Sequence, residues 1–416
     1  MDSIFLGHRN LKLMKKAKFT INKDLYFILI FAVNLAVLLF GISNLSISYY
    51  EAEIFFNEKN FVSLIANVSC KIFGQNDYSL RLPFLLIHFI NSILMYKLSK
   101  KILKRRVDRI ACLTLYMFLP GIIASAILVN FAGILIFFTL LFIYLYEIKK
   151  DIFALFVLIT TVFIDKSFLV LYLGVFFYSI YYKNRPFCIL SFLLFIISII
   201  FYDFDIGGKP KGFFADTIGI YAAVFSPFLF LFFVYAIYRI WVKEEKTLLW
   251  FIVVTAFCSS LLLSLRQRVE LDEFLPYVVI SIPLLVKTFY NSYRIRLPNF
   301  RRKHKYVAIF TIIVLIFSSS ILVFNQILYL NIFKNEPKKH FIYKYDIVKE
   351  LALNLKNIGI QELNILDEEL ALRLEFYGVK PNLNNDMVLT EFYIEKPKYN
   401  ILIYKFSNNI DKFYIF

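Results

Sequence analysis

LYFILIFAVNLAVLLFGISN, residues 25–44, runs without a single charged side chain. About 20 such residues, at ~1.5 Å rise each, reach across the ~30 Å hydrocarbon core of a bilayer. Arg9, Lys12, Lys15, Lys16, Lys18 and Lys23 precede the run, and SISYYEAEIFFNEKN (46–60) follows it, placing Glu51 and Glu53 just past its end. Cations before an apolar run and carboxylates after it read as a crossing outward from the cytoplasm. The run is too long for the apolar region of a secretory signal, and no small-residue cleavage site follows, so it is expected to stay as a helix.

The pattern repeats along the chain. Its 416 residues are 60% hydrophobic and 19% aromatic, with a mean hydropathy of +0.67, against about 45–50% apolar in soluble domains. Apolar runs predict about eleven helices, near 25–44, 82–98, 110–128, 131–146, 152–164, 168–182, 187–202, 218–238, 247–265, 274–289 and 306–330. The run at 152–164 is the weakest and fits half of a broken element. The expected fold class is an all-α polytopic membrane protein with a small α/β domain at its C-terminal end.

Orientation follows from Lys and Arg. SKKILKRRVDR, EIKKD, YYKNRP, YRIWVKEEK and YRIRLPNFRRKHK alternate with the more acidic YYEAE, DFDIGGKPKGFFAD and RQRVELDE. One parity puts every basic connection inside. Residues 1–24 then form a cytoplasmic basic segment and 25–330 a transmembrane domain with its first outer loop at 45–81. Residues 335–416 lie outside, at a plasma or bacterial inner membrane. The net charge of +17 is this cation bias plus attraction to anionic lipid, not the footprint of a nucleic-acid binder. Cys70, Cys112, Cys188 and Cys258 have no metal-ligand spacing and no disulfide framework is expected.

In the tail, KYDIVKELALNLKNI places Ile347, Leu351 and Leu355 on one helical face. ELNILD and KYNILIYKF read as strands, and EELALRLEFYG as a helix with Gly378 at its end. A unit this small is expected to dock on the membrane part. No internal repeat is evident, which argues against an inverted-repeat transporter.

Glu51, Glu53, Asp77, Arg81, Asp165, Lys166, Arg266, Arg268, Asp272 and Glu273 all fall on the expected outer side. Acids and bases from separate turns at the mouth of an apolar bundle are the raw material of an anion-binding site. On a helix Glu51 and Glu53 stand about 200° apart and cannot share a site; in an extended chain they point the same way. Ile54, Phe61, Ile65 and Val68 recur at helical spacing, so FFNEKNFVSLIANV is expected to lie flat at the outer leaflet with Glu51 near its N-terminal end. His88, in FLLIHFINS, reads as a satisfied intramembrane histidine. GGKPKGFFAD lacks the strand and the Ser/Thr of a phosphate-binding loop and is expected to be a mobile outer loop gating a groove.

The order of first helix, acidic loop, interfacial helix, then FGQNDYSLRLPFLLIHF resembles the family 39-type glycosyltransferases of the GT-C fold, such as protein O-mannosyltransferases and lipid A aminoarabinose transferases. Phe73-Gly74 and Arg81-Leu82-Pro83 match the family's opening of the second helix. VFIDKSFLVLYLG resembles its Thr-Lys-Gly helix start, with Lys166 in the lysine position. RQRVELDEFLPYVV resembles its basic loop, with Arg266 or Arg268 as the cation and Pro276 as the proline. The resemblance covers roughly residues 25–290. It implies transfer of a sugar from a polyprenyl-phosphate donor to an envelope lipid, glycan or protein on the outer face.

In that reading Glu51 and Glu53 are the catalytic candidates. Arg81, Lys166, Arg266 and Arg268 hold the donor phosphate, and Tyr50, Asn130 and Tyr277 support the acceptor. The chemistry asks for these types: a departing phosphate needs cations, which Arg supplies bidentately, and an acceptor hydroxyl or amine needs a base in reach. The chain departs from the family in three places, one of them an outer loop between Glu51 and Arg81 that is shorter than the family's. The Asp-Glu pair becomes Tyr50-Glu51, and the acid of the next outer turn becomes Asn130. A divalent cation near Glu51 and Glu53 remains open. A flippase for lipid-linked substrates and a non-catalytic envelope-assembly protein are the alternatives.

Overall fold

The computed structural model describes residues 25–202, 212–331, 337–340, 343–393, 396–405 and 408–416. The basic segment 1–24 and most of the expected gate at 203–217 lie outside the described residues. The first helix, α1, spans Leu25–Asn44. Two short helices, α2 (Tyr49–Phe56) and α3 (Phe61–Phe73), fill the loop before α4 (Asp77–Ile102). The bundle continues with α5 (Arg106–Met117), α6 (Pro120–Ile127), α7 (Ala132–Glu147), α8 (Asp151–Thr160), α9 (Leu169–Tyr181) and α10 (Arg185–Tyr202). It closes with α11 (Phe214–Phe225), α12 (Pro227–Lys243), α13 (Leu248–Ser264), α14 (Leu275–Val279), α15 (Ile282–Ile295) and α16 (Pro298–Val323).

Every expected apolar run is helical, but the helices are not eleven uniform spans. Among the described residues α1, α4, α10 and α16 are long and apolar enough to cross a membrane. The count rises to six if the bent pairs α5/α6 and α11/α12 each make one crossing. Proline explains the breaks, since it removes a donor and drives the residue before it out of the helical region. The expected single helix at 218–238 is a pair bent by 104° at Ser226, whose φ of 73° precedes Pro227. The run at 110–128 bends by 57° before Pro120; 274–289 is interrupted at Ile280–Ser281, which keep right-handed helical angles, so there Pro283 acts only by removing a donor. Length explains others: the 16 residues of α7 reach only about 24 Å.

The expected flat helix is also two pieces. Asn57–Asn60 separate α2 from α3, and Ile54 belongs to the former. On α3 the small residues Ala66, Ser69 and Cys70 face the bundle, while Phe61, Leu64, Val68 and Ile72 are exposed. That apolar stripe, at spacings of three and four, suits a lipid surface.

After α17 (Leu328–Asn331) and α18 (Tyr343–Asp346), the tail folds as α19 (Val348–Asn357), β1 (Glu362–Ile365), α20 (Glu368–Phe376), β2 (Lys380–Pro381), β3 (Val388–Thr390), β4 (Tyr399–Lys405) and β5 (Asn408–Ile415). The sheet order is β2-β1-β3-β5-β4. β1 lies parallel to β2 and β3, and β5 antiparallel to β3 and β4. Ile347, Leu351 and Leu355 bury the predicted face of α19 against the sheet, about 1.5–3 kcal/mol for each such side chain. Gly378, at φ 82°, ends α20 in the left-handed conformation that glycine adopts without a Cβ clash.

This unit sits on the loop between α1 and α4. The Tyr345 carbonyl accepts from the Ser46 N–H at 2.7 Å and from its hydroxyl at 2.6 Å. Arg373 donates to the Ile47 carbonyl at 2.9 Å, Gln75 to the Phe376 carbonyl at 3.0 Å, and Phe55 meets Phe376 edge to face.

Candidate functional site

The residues expected to form one site fall into two clusters that differ in access to solvent. The first is sealed. Ser48 and Glu51 form a reciprocal capping box at the start of α2. The Glu51 carboxylate accepts from the Ser48 N–H at 2.9 Å and from its hydroxyl at 3.1 Å. It also accepts the Val129 N–H at 2.9 Å. Arg81 then closes on it bidentately, Nη2 to Oε2 at 3.0 Å and Nε to Oε1 at 3.3 Å. Two further Arg81 donors serve the carbonyls of Leu45 and Ser46, both at 3.0 Å. Glu51 is 2% exposed and Arg81 0%. Asp77 lies 3.9 Å from Arg81, pairs with Lys349 of α19 at 2.8 Å, and accepts from the Tyr377 hydroxyl.

This cluster ties α1, α2, α4, the α6–α7 turn and the C-terminal unit together. Burial, then the charge of Asp77, pushes the Tyr377 phenol above its ordinary range. Burial lowers Arg373 to about 10, and its Nη2 is buried without a hydrogen-bond partner. Glu51 and Arg81 are closed off from solvent, with five donors on the carboxylate and four of the five guanidinium N–H groups engaged.

The second cluster is open. Lys166 starts the short turn before α9, where Asp165 accepts from the Ser167 N–H at 2.8 Å. Its Nζ is 2.8 Å from Glu273 and 3.4 Å from Glu270. The Tyr277 hydroxyl, fully buried, donates to the Ser167 carbonyl at 2.9 Å and so holds that turn against α14. Lys166, Gln267, Arg268, Glu270 and Glu273 form the polar rim of a cavity of about 480 Å³. Its wall is hydrocarbon from α9, α10 and α13, including Leu173, Phe195, Ile199 and Leu262. The lone acceptor Oε1 of Gln267 is buried there without a partner.

Electrostatics link the rim to the first loop. Burial, then Glu53, raises the Glu58 carboxyl, and Asp165 adds to it. Burial raises Glu273 against the pull of Lys166, and burial followed by Glu270 raises Asp272. Burial alone would lower Lys166; its attraction to Glu273 and Glu270 more than offsets that and raises it.

Of the nine singled-out residues, Glu51 and Arg81 meet, but inside a closed clamp. Lys166 and Arg268 share the open cavity. Arg266 is exposed and does not line it. Glu53 is half-buried on the face of α2 away from Glu51, as helical spacing requires, and Tyr50 is 72% exposed. Asn130 is a turn residue that donates to the Leu128 carbonyl and accepts the Ala132 N–H, both at 3.0 Å. Tyr277 is a positioning residue.

Glu270 and Glu273, the anionic half of the rim, were not among the nine. Nor was the Ser48-x-x-Glu51 capping box, which the sequence spells out. His88 places Nε2 2.9 Å from Asn34 Oδ1, and Asn34 donates to the Met117 carbonyl at 3.0 Å, so that histidine cross-links three helices. All four cysteines are free. Among the described residues no group of three or more His, Cys, Asp or Glu suits a metal ion, and Glu51 and Glu53 do not pair. No family model matches this chain, and no curated protein matches it.

Proposed function

We propose that the chain is a membrane glycosyltransferase that takes a sugar from a polyprenyl-phosphate donor at the Lys166–Arg268 cavity and passes it to an envelope lipid, glycan or protein. One observation carries the reading: two cations stand at the mouth of a cleft whose wall is hydrocarbon. That is what a lipid phosphate asks for, an anion clamp beside a groove for the chain. Glu270 and Glu273 hold Lys166 in place until the phosphate competes for it. Glu53 is assigned as the base, because it is the carboxylate on α2 that the clamp does not consume.

In the same reading the shorter apolar helices complete the crossings to eleven in tilted or thinned bilayer. The N-terminus is cytoplasmic, and the cavity and the C-terminal unit lie outside. The saturation of Glu51 and the exposure of Tyr50 favour one other reading, a non-catalytic envelope-assembly protein built on the same scaffold.

Purified protein with radiolabelled polyprenyl-phosphate sugars separates the two. Lys166→Ala and Arg268→Ala are each expected to weaken donor binding by about tenfold or more, the size of a charge-assisted hydrogen bond, and Glu53→Gln to stop transfer while leaving binding intact. Donor binding unchanged in both cation variants would remove the site. Binding without transfer to any acceptor in the wild type would leave the scaffold reading.

A further inference from the structure

A second cavity, about 880 Å³, lies between α1, α5, α6, α12, α15 and α16 and contains no carboxylate. It follows α16 from His304 to Phe324, about 30 Å of helix at 1.5 Å per residue, the full depth of a bilayer core. Its wall is mostly hydrocarbon; the hydroxyls of Thr114, Thr311 and Ser319 that line it are spent on helix carbonyls, and Tyr290 and His304 stand at one end. His304 stacks on Phe289 at 5.0 Å, and its Nε2 is buried without a hydrogen-bond partner.

The same end is densely cationic. Arg294 packs over the Tyr290 ring at 4.8 Å and pairs with Asp108. Arg301, one turn before His304 on α16, is held against α15 by donating to the Arg296 and Arg294 carbonyls at 2.6 and 2.8 Å. Arg302, Lys303 and Lys305 are exposed beside it. Asp108 is engaged by Arg294, so the excess charge here is positive.

We infer that the end of this groove next to His304 holds an anionic diacyl phospholipid of the surrounding bilayer, its acyl chains along α16 and its phosphate at Arg301 and His304. The site is distinct from the donor cavity and stands whether or not the transferase reading does. Water does not fill so apolar a groove. A second copy of the chain would bring a like-charged end to a like-charged end, and a zwitterionic lipid would leave the cations unanswered. A buried imidazole nitrogen without a partner takes a phosphate oxygen, and cationic side chains at a membrane surface attract anionic head groups.

The test uses the full chain, delipidated in detergent and reconstituted into nanodiscs of phosphatidylcholine containing about a tenth phosphatidylglycerol. Native mass spectrometry then reads the lipid retained on release. Phosphatidylglycerol is expected to be retained about tenfold over its share. Ala308→Phe, which fills the groove, is expected to abolish retention, and Arg301→Gln to reduce it about fivefold. Size-exclusion profiles like the wild type show that both variants are folded, and one that misfolds leaves the other to decide. Equal retention of both lipids, retention unchanged in a folded Ala308→Phe, or displacement by inorganic phosphate would each overturn the assignment.

Discussion

Breaking the Glu51–Arg81 clamp tests the difference between holding and reacting. Arg81→Met removes a guanidinium that is 0% exposed and makes four contacts, two to Glu51 and two to the Leu45 and Ser46 carbonyls. Truncating one partner of a buried ion pair costs about 3–5 kcal/mol, because the other charge is left uncompensated. Stranding two buried carbonyls adds to it, at about 1–3 kcal/mol for each unmade bond. The terms overlap, so the expected loss is near the top of the ion-pair range. Glu51→Gln keeps the volume and one acceptor, and Asp77 at 3.9 Å still faces Arg81, so its loss falls near the lower end, about 3 kcal/mol. The double variant is expected to lose less than the sum by about 1–3 kcal/mol, the coupling of residues in direct contact.

Against a total of about 5–15 kcal/mol these are large losses. Unfolding in detergent is commonly irreversible, so the quantity to compare is the half-life of the folded protein at fixed temperature, with donor transfer measured on the surviving fraction. The expected order of half-lives is wild type, Glu51→Gln, then Arg81→Met, with the double variant above its additive value. A Glu51→Gln protein as long-lived as the wild type but unable to transfer sugar would refute the reasoning. It would mean that the carboxylate leaves its five donors to do chemistry.

Glu273, raised by burial, keeps its proton to higher pH in the folded chain than in the unfolded one, so stability falls as pH rises between the ordinary and the raised value. Below that window protonation releases Lys166, and phosphate-ligand binding by titration is expected to tighten as pH falls; Glu273→Gln should flatten the profile. Tyr377→Phe deletes the hydrogen bonds to Asp77 and from the Ile47 N–H, about 1–3 kcal/mol for a buried group left unmade, and limited proteolysis should release the C-terminal unit faster. Gly174→Ala puts a Cβ 2.8 Å from the Ile252 Cα, a backbone atom that side-chain motion cannot clear; about 1–3 kcal/mol of overpacking between α9 and α13 should show as a lower melting temperature.

Much of the fold was legible because each apolar run is a local signal. The run at 25–44, the α19 face of Ile347, Leu351 and Leu355, and the turn at Gly378 all follow from spacing alone. Where runs break was less so, although Pro227 and Pro283 stand in the sequence: a proline can end a helix, as at the 104° bend before Pro227, or sit inside one, as Pro83 does in α4. β2, β3 and β5 were missed because strands of two or three residues carry no periodicity, and part of β5, NNIDKFYI, alternates polar and apolar only weakly. The meeting of Glu51 with Arg81 was expected, but its burial was not. Charge and position say that two groups are outside the membrane run; only packing says whether water reaches them.

That distinction bears on one of the places where the chain leaves the pattern it resembles. On α2, Tyr50 and Glu53 stand three residues apart and share a face, while Glu51 points the other way into the clamp. The family places its Asp where Tyr50 stands, beside a Glu where Glu51 stands. Here the inward position keeps a carboxylate, fully spent on Arg81, Ser48 and Val129, and the outward position carries a phenol that is 72% exposed. The outward carboxylate on α2 is Glu53, three residues past Tyr50 and about 4.5 Å along by helical rise. In the transferase reading proposed above, a base at Glu53 serves an acceptor geometry different from one at the Tyr50 position.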